Sequence, residues 1–259
     1  QLGIDEITFH KNSPLRSDQS KVMGLIKRGG RLCVDTNKVD DFKALDLDPD
    51  FETEDAIKRA SVVIDCTPRG IGHKNKELYY QKFDRKEKGF LAQGSENGFG
   101  KKYARGINDS TLHPDNHFVQ VVSCNTHNLC CITHTLALSE NPDNLEEGRF
   151  VCIRRANDIS QPGSFIPSPQ VGKHGSRRYG THHAEDAAAL FQTMNLDLNL
   201  FSSALKVNSQ YMHVLWFTLK VKEPISLTEV IEKLNANPYV AMTEKDMTST
   251  VFSFGRDQG

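Results

Sequence analysis

No apolar run in this chain is long enough to cross a bilayer, and its first residues show no charged-then-apolar leader. Neither a membrane span nor a secretory signal is expected, and the chain reads as soluble and cytoplasmic. Charge of one sign is also lacking: Lys+Arg 32 against Asp+Glu 33 leaves a formal −1. That balance argues against a general nucleic-acid or polybasic membrane role. Cysteine is too sparse for a disulfide scaffold, so the six thiols, at 33, 66, 124, 130, 131 and 152, read as reduced. Gly-x-Gly-x-x-Gly occurs nowhere, so glycine spacing alone does not announce a dinucleotide site. There is no initiator Met; the chain opens on a strand-like segment and stops while apolar residues still recur, which reads as a sequence cut from a longer one.

What is present centres on Phe118 to Leu138. A β-rich run, Phe118 to Val122, meets the polar turn Ser123-Cys124-Asn125-Thr126, and Leu129, Ile132 and Leu136 then recur at helical spacing. Cys124 is thus expected where a strand hands over to a helix. Unpaired N–H groups and the positive helix end favour a thiolate there and can hold an oxyanion. The plainer alternative is a buried structural cysteine.

Along the chain, strand patterns at Ile4 to Phe9, Leu32 to Val34, Ser61 to Cys66 and Gly89 to Gln93 alternate with helical ones at Ser20 to Lys27, at Thr53 to Ala60 with Thr53 as cap, and at Lys74 to Phe83. Alternation of this kind means β-α-β units and a parallel sheet. The apolar run at Ser61 to Cys66 predicts a strand buried on both faces. The second half differs. A strand at Phe150 to Arg154, a Pro/Gly/Ser-rich loop at Ser160 to Thr181 and a helix at His183 to Met194 come first. Leu200 to Val207 and Tyr211 to Val221 follow, joined by Asn208 to Gln210, and read as an antiparallel hairpin. Ser226 to Glu229 spells a capping box. The expected fold is α/β: β-α-β units on a parallel sheet over residues 1–123 and an α+β layer with a largely antiparallel sheet over 124–259. The thiol would lie between them.

Gly70-Ile-Gly72 follows a strand and precedes a helix, a weak echo of the dinucleotide turn. His127, Cys130 and His134 fall at i, i+3 and i+7, but a fourth metal ligand is not apparent, so helix packing is preferred and no metal is expected. His213 sits in a strand apolar on both sides, where burial would keep an imidazole neutral as core histidine or as general base. Arg154-Arg155, and Arg177-Arg178 near His182-His183, suit phosphate through forked guanidinium donors, or are solvated charge.

With these residues laid out, the chain resembles the archaeal-type (type II) glyceraldehyde-3-phosphate dehydrogenase family. The resemblance rests on Val121-Val-Ser-Cys-Asn-Thr126, Val63-Ile-Asp-Cys-Thr-Pro68 with Gly70-Ile-Gly72 and Lys74 to Tyr79, Gln93-Gly94, Ile153-Arg-Arg155 with Asp158, His182-His183 and Met212-His213. It implies a doubly wound, Rossmann-like dinucleotide domain over 1–123, lacking the family's first strand and Gly-rich loop, and an α+β catalytic domain over 124–259, lacking the family's C-terminal segment. The same resemblance implies a glycolytic oxidoreductase in which Cys124 attacks the aldehyde and His213 is the base. Gly94 and Arg155 would lie at an NAD or NADP cofactor, and Asn125, Thr126, Arg154, His182 and His183 around glyceraldehyde 3-phosphate and inorganic phosphate. A homo-oligomer or a subunit of a larger assembly is implied as the working form.

The departures point to the alternative, a catalytically degenerate relative kept as a structural or interaction subunit. Where the family continues Cys-Asn-Thr with Thr-Gly, this chain has His127-Asn128, and the family's following arginine is Cys131. With no Gly-x-Gly-x-x-Gly turn to cradle a pyrophosphate, this stretch of chain is expected to bind a dinucleotide weakly by itself.

Overall fold

The computed structural model describes residues 4–157 and 166–258; Asp158 and the start of the Pro/Gly/Ser-rich loop lie outside them. The chain divides into two compact units, Gln1–Ala92 and Gln93–Gly259. Residues 93–123, grouped from the sequence with the nucleotide half, therefore pack within the second unit. Ala104, Ile107 and Val122 share a core with Leu190 and Phe191, Lys102 pairs with Asp186 at 2.8 Å, and Asn108 Nδ2 donates to Thr193 Oγ1 at 3.0 Å.

The first unit alternates strand and helix as expected. Its elements are β1 (Thr8–His10), α1 (Gln19–Lys27), β2 (Arg31–Val34), α2 (Val39–Lys43), β3 (Phe51–Glu52), α3 (Thr53–Arg59), β4 (Val62–Asp65), α4 (Ile71–Leu78) and β5 (Gly89–Ala92). β1, β2 and β3 pair in parallel, as do β4 and β5. Val22, Leu32, Val34, Phe42 and Leu47 fill the core beneath β2. Lys88 reaches back to the end of α3, where its ammonium donates to the carbonyls of Ile57, Lys58 and Ala60 and closes helix acceptors that would otherwise be orphaned.

Two expectations fail here. Thr53 does not cap α3: it is the first helical residue, and its Oγ1 donates to Asp35 Oδ1 at 2.7 Å. β4 is not buried on both faces, since Val62 and Ile64 are 54% and 67% exposed. An apolar run records strand propensity, and whether both faces are covered depends on neighbours distant in sequence.

The second unit contains β6 (Lys101–Tyr103) and β7 (Phe118–Val121), paired in parallel, then α5 (Cys124–Thr133), which continues as a π-turn over His134–Leu138. β8 (Leu145–Arg154), β9 (Gln170–Val171), α6 (His182–Gln192), β10 (Leu200–Lys206), β11 (Val214–Val221), α7 (Leu227–Ala236) and α8 (Thr248–Gln258) complete it. Ser226 and Glu229 form the expected capping box on α7.

The expected hairpin does not form. The sheet order is β11-β8-β10-β9, with β8 between the two supposed partners, parallel to β10 and antiparallel to β11. The connection runs along the end of β8 instead of folding back: Val207 N–H donates to Arg154 O, and Ala156 N–H to Ser209 O, each at 2.9 Å. Tyr211, at φ 78°, then redirects the chain into β11.

Candidate active site

Cys124 is the first residue of α5, as expected, and it is exposed. Ser123 makes the turn: its backbone is extended, and its side-chain Oγ accepts the Thr126 N–H. That cap satisfies one of the donors a helix start leaves open and is worth about 1 kcal/mol. Gly94 lies directly against this turn. A Cβ there would sit 2.3 Å from Ser123 N and 2.5 Å from Ser123 Cα, so the position admits only glycine because one backbone lies on another. Asn125 and Thr126 point inward, 2% and 0% exposed. Asn125 Oδ1 is buried without a hydrogen-bond partner.

α5 packs against β8, β11 and α6. At the end of β8, the side chain of Arg154 has a buried Nε that is likewise without a partner. Cys152, fully buried on the same strand, has its thiol pushed up to about 12 by burial; the Arg154 charge opposes this and Cys124 reinforces it, so Cys152 is in electrostatic reach of both. α6 opens with His182 and His183, their rings 4.0 Å apart. His183 is buried, with Nδ1 3.0 Å from Thr181 Oγ1. Burial, then the neighbouring His182, Arg154 and His213, hold it down to about 3, so its ring is neutral at physiological pH.

Four of the sequence-predicted residues, Arg154, His182, His183 and His213, thus gather in one electrostatic neighbourhood, with Cys124 joined to Arg154 through Cys152. His213 departs from expectation. It precedes β11, is half-buried, and adjoins a strand whose Val214 and Trp216 are 44% and 59% exposed. Its Nδ1 accepts the Arg155 backbone N–H at 3.1 Å. Arg155 itself turns its Nε to Asn157 O at 3.1 Å.

Sequence reasoning missed the layer under His183. Ser202 on β10 lies 2.7 Å from Thr181 Oγ1 by its hydroxyl and accepts the Ala184 N–H at 3.0 Å, seating the first turn of α6. No local pattern marks a serine that acts across strands. Arg178 faces outward on Asp197 and Tyr179. His127 turns to Arg105 O at 3.1 Å, and among the described residues no three His, Cys, Asp or Glu groups are placed to hold a metal ion.

No family model matches the chain. It is 27% identical to a glyceraldehyde-3-phosphate dehydrogenase of Methanobacterium bryantii, over 93% of this chain and 73% of that protein. The enzyme of the same name from Methanobacterium formicicum is 28% identical over 87% of this chain and 67% of its own length. That from Pyrobaculum neutrophilum is 25% identical over 93% and 72%. At 25–28% identity over most of its length, the chain is similar to glyceraldehyde-3-phosphate dehydrogenases of archaea. Its parallel strands and mixed second sheet are the α/β architecture expected of that relationship.

Proposed function

We propose that the chain is the catalytic part of a phosphorylating glyceraldehyde-3-phosphate dehydrogenase, with Cys124 as nucleophile. The observation that carries the reading is an exposed thiol on the first residue of a capped helix, next in sequence to the unpartnered buried Asn125 Oδ1 and in electrostatic reach, through Cys152, of Arg154, whose buried Nε is also unpartnered. Buried polar atoms without partners are uncommon and call for an explanation. Arg154 Nε would donate to a substrate or attacking phosphate, and Asn125 Oδ1 would accept from a substrate hydroxyl. Thr126, His182 and His183 complete the polar wall.

Arg155, beside Arg154 at the end of β8, has forked donors suited to the pyrophosphate of a nicotinamide dinucleotide. Arg155 and the backbone at Gly94 would hold it, and the bound cofactor would accept the hydride. The protein's part is to place the aldehyde carbon against Cys124, exclude water and stabilise charge on the carbonyl oxygen through N–H groups at the start of α5. Phosphate then releases the thioester.

The test supplies glyceraldehyde 3-phosphate, phosphate and NAD or NADP and follows formation of the reduced nicotinamide. Cys124→Ser should lower turnover by at least about 10⁴-fold, as expected for removal of a nucleophile. Intact mass without phosphate should show one acyl group on the wild type and none on the variant. A folded wild type that neither turns over nor becomes acylated would place the chain among non-catalytic relatives kept for assembly.

A further inference from the structure

We propose that the Arg177-Arg178 turn docks on the acidic stretch of residues 40–55 in a second copy of this chain, joining copies head to tail. The inference stands apart from the chemistry at Cys124. Arg177 and Arg178 lie between β9 and α6 on a turn closed at its neck. Gly180 N–H donates to Ser176 O at 2.8 Å, Ser176 N–H to Gly180 O at 3.2 Å, and Tyr179 N–H to Ser176 Oγ at 3.2 Å. β10 seats the neck: Ser202 N–H donates to Tyr179 O at 3.0 Å and Thr181 N–H to Ser202 O at 2.9 Å. Gly180 has φ 74°, and a Cβ there would stand 2.2 Å from Ser202 O. The backbone that carries both guanidinium groups therefore needs no ordering on docking.

Lys173, His174 and Arg149 extend the patch, and all five basic side chains are exposed. His174 stacks on Phe201 with ring centroids 6.1 Å apart, and Arg149 lies over the same ring at 5.1 Å. Among the described residues Lys173 and Arg177 have no ion pair. Arg178 pairs with Asp197 where the two side chains are 55% and 69% exposed, so that contact is weak and exchangeable.

The chemistry of the partner follows from what surrounds the turn. A single-stranded nucleic acid needs open aromatic faces for its bases, but Phe201 carries Arg149 and His174, and Tyr179 carries Arg178 at 5.0 Å. Carboxylates suit two adjacent guanidinium forks. Residues 40–55 supply them, with eight carboxylates against one lysine. All eight are exposed, and none is in an ion pair among the described residues. Phe42 and Leu47 root that stretch in the core, which leaves its acids at the surface. Unpaired like charges so close together repel, and a cationic surface relieves the repulsion. Each copy offers both surfaces, so the contact is heterologous.

Sedimentation velocity on the full chain at ionic strengths of about 20 mM and about 500 mM tests this, since the higher value shortens the reach of a charge to a few ångströms. The wild type should associate at the lower value and come apart at the higher. Arg177→Glu with Arg178→Glu should weaken association by about tenfold or more and remove the salt dependence, as should Asp41→Lys with Asp48→Lys. An equimolar mixture of the two reversed variants should regain it, because each reversed surface meets its complement. Circular dichroism checks folding; should a reversed variant not fold, Arg177→Gln with Arg178→Gln and Asp41→Asn with Asp48→Asn give the same readout, including association on mixing. Sizes independent of salt, or a mixture of folded variants that stays unassociated, overturn the inference. So does a chain that remains monomeric yet binds polyglutamate or an oligonucleotide through Arg177 and Arg178, which would give the turn a different partner.

Discussion

At the carboxyl end of β4, the buried Asp65 carboxylate accepts from Thr67 N–H at 2.9 Å, the Thr67 hydroxyl, Asn75 Nδ2 at 2.9 Å and Tyr80 OH at 2.7 Å. At the carboxyl end of β7, by contrast, the atoms past the turn are left over: an exposed Cys124 thiol and a buried Asn125 Oδ1 with no partner. Both are strand-to-helix turns, and each carries an exposed cysteine, Cys66 in one and Cys124 in the other. The first spends its polar groups on itself, which locks a turn. The second bonds Ser123 to Thr126 but leaves Asn125 Oδ1 without a partner, which a purely structural turn avoids. Cys66 lies five positions before α4 begins, whereas Cys124 is the first residue of its helix.

The largest expected effect breaks the second turn from outside. Gly94→Ala puts a methyl group 2.3 Å from Ser123 N, a separation that only backbone movement can relieve. A cost at or above the upper end of the roughly 1–3 kcal/mol range for overpacking is expected. In the folded fraction, alkylation of Cys124 should change while Cys66 serves as the unaltered reference. Peptide mapping after brief iodoacetamide treatment reads the ratio. A variant as stable as wild type, with the same ratio and a defect confined to dinucleotide affinity, would mean that the added methyl meets the cofactor and not the Ser123 backbone.

Breaking the first turn should cost less and leave Cys124 alone. Asp65→Ala removes the acceptor shared by the Tyr80 hydroxyl, Asn75 Nδ2 and the Thr67 N–H, a loss of about 2–3 kcal/mol measured by urea unfolding. Burial by itself would raise the Asp65 carboxyl, but hydrogen bonds from Thr67, Asn75 and Tyr80 outweigh it and hold the group low. A carboxylate held low in the fold stabilises fully above its unfolded value of about 3.9 and loses that contribution as pH falls through the folded value. Wild type should therefore weaken in that acid window, and Asp65→Ala should show less of the weakening. Identical acid profiles would mean that the carboxylate does not anchor the turn.

What the sequence made legible was local. The handover from strand to helix at Ser123-Cys124, the β-α alternation of the first unit and the capping box at Ser226 each follow from a few adjacent residues. What it hid was set by partners far along the chain. Leu200 to Val207 and Tyr211 to Val221 have the spacing of a hairpin, yet β8 lies between them, because pairing is decided across the sheet. Thr53 has the residue type and position of a cap, but Asp35 is there to receive its hydroxyl. The separation of Cys152 from Cys124 concealed their electrostatic contact, and nothing near Arg155 in sequence signals that its N–H is committed to His213.

The effect that is smallest at neutral pH concerns His183, and its sign separates a buried neutral histidine from a charged phosphate ligand. Burial first, then the nearby His182, Arg154 and His213, hold its ring down to about 3. The unfolded chain takes up that proton near pH 6.5. The folded-state value is thus depressed, so the contribution is complete above about pH 6.5 and is lost as pH falls toward 3. At pH 7 nothing is lost. His183→Asn keeps a short polar group near Thr181 Oγ1, 3.0 Å from Nδ1 in the wild type, and removes the titration. Whatever it costs at neutral pH through lost packing, its stability should fall less steeply than wild type between about pH 6.5 and 4. Urea midpoints across that range decide the matter. A wild type whose stability rises on acidification there, with the rise abolished by His183→Asn, would mean that the ring gains its proton in the fold and faces an anion.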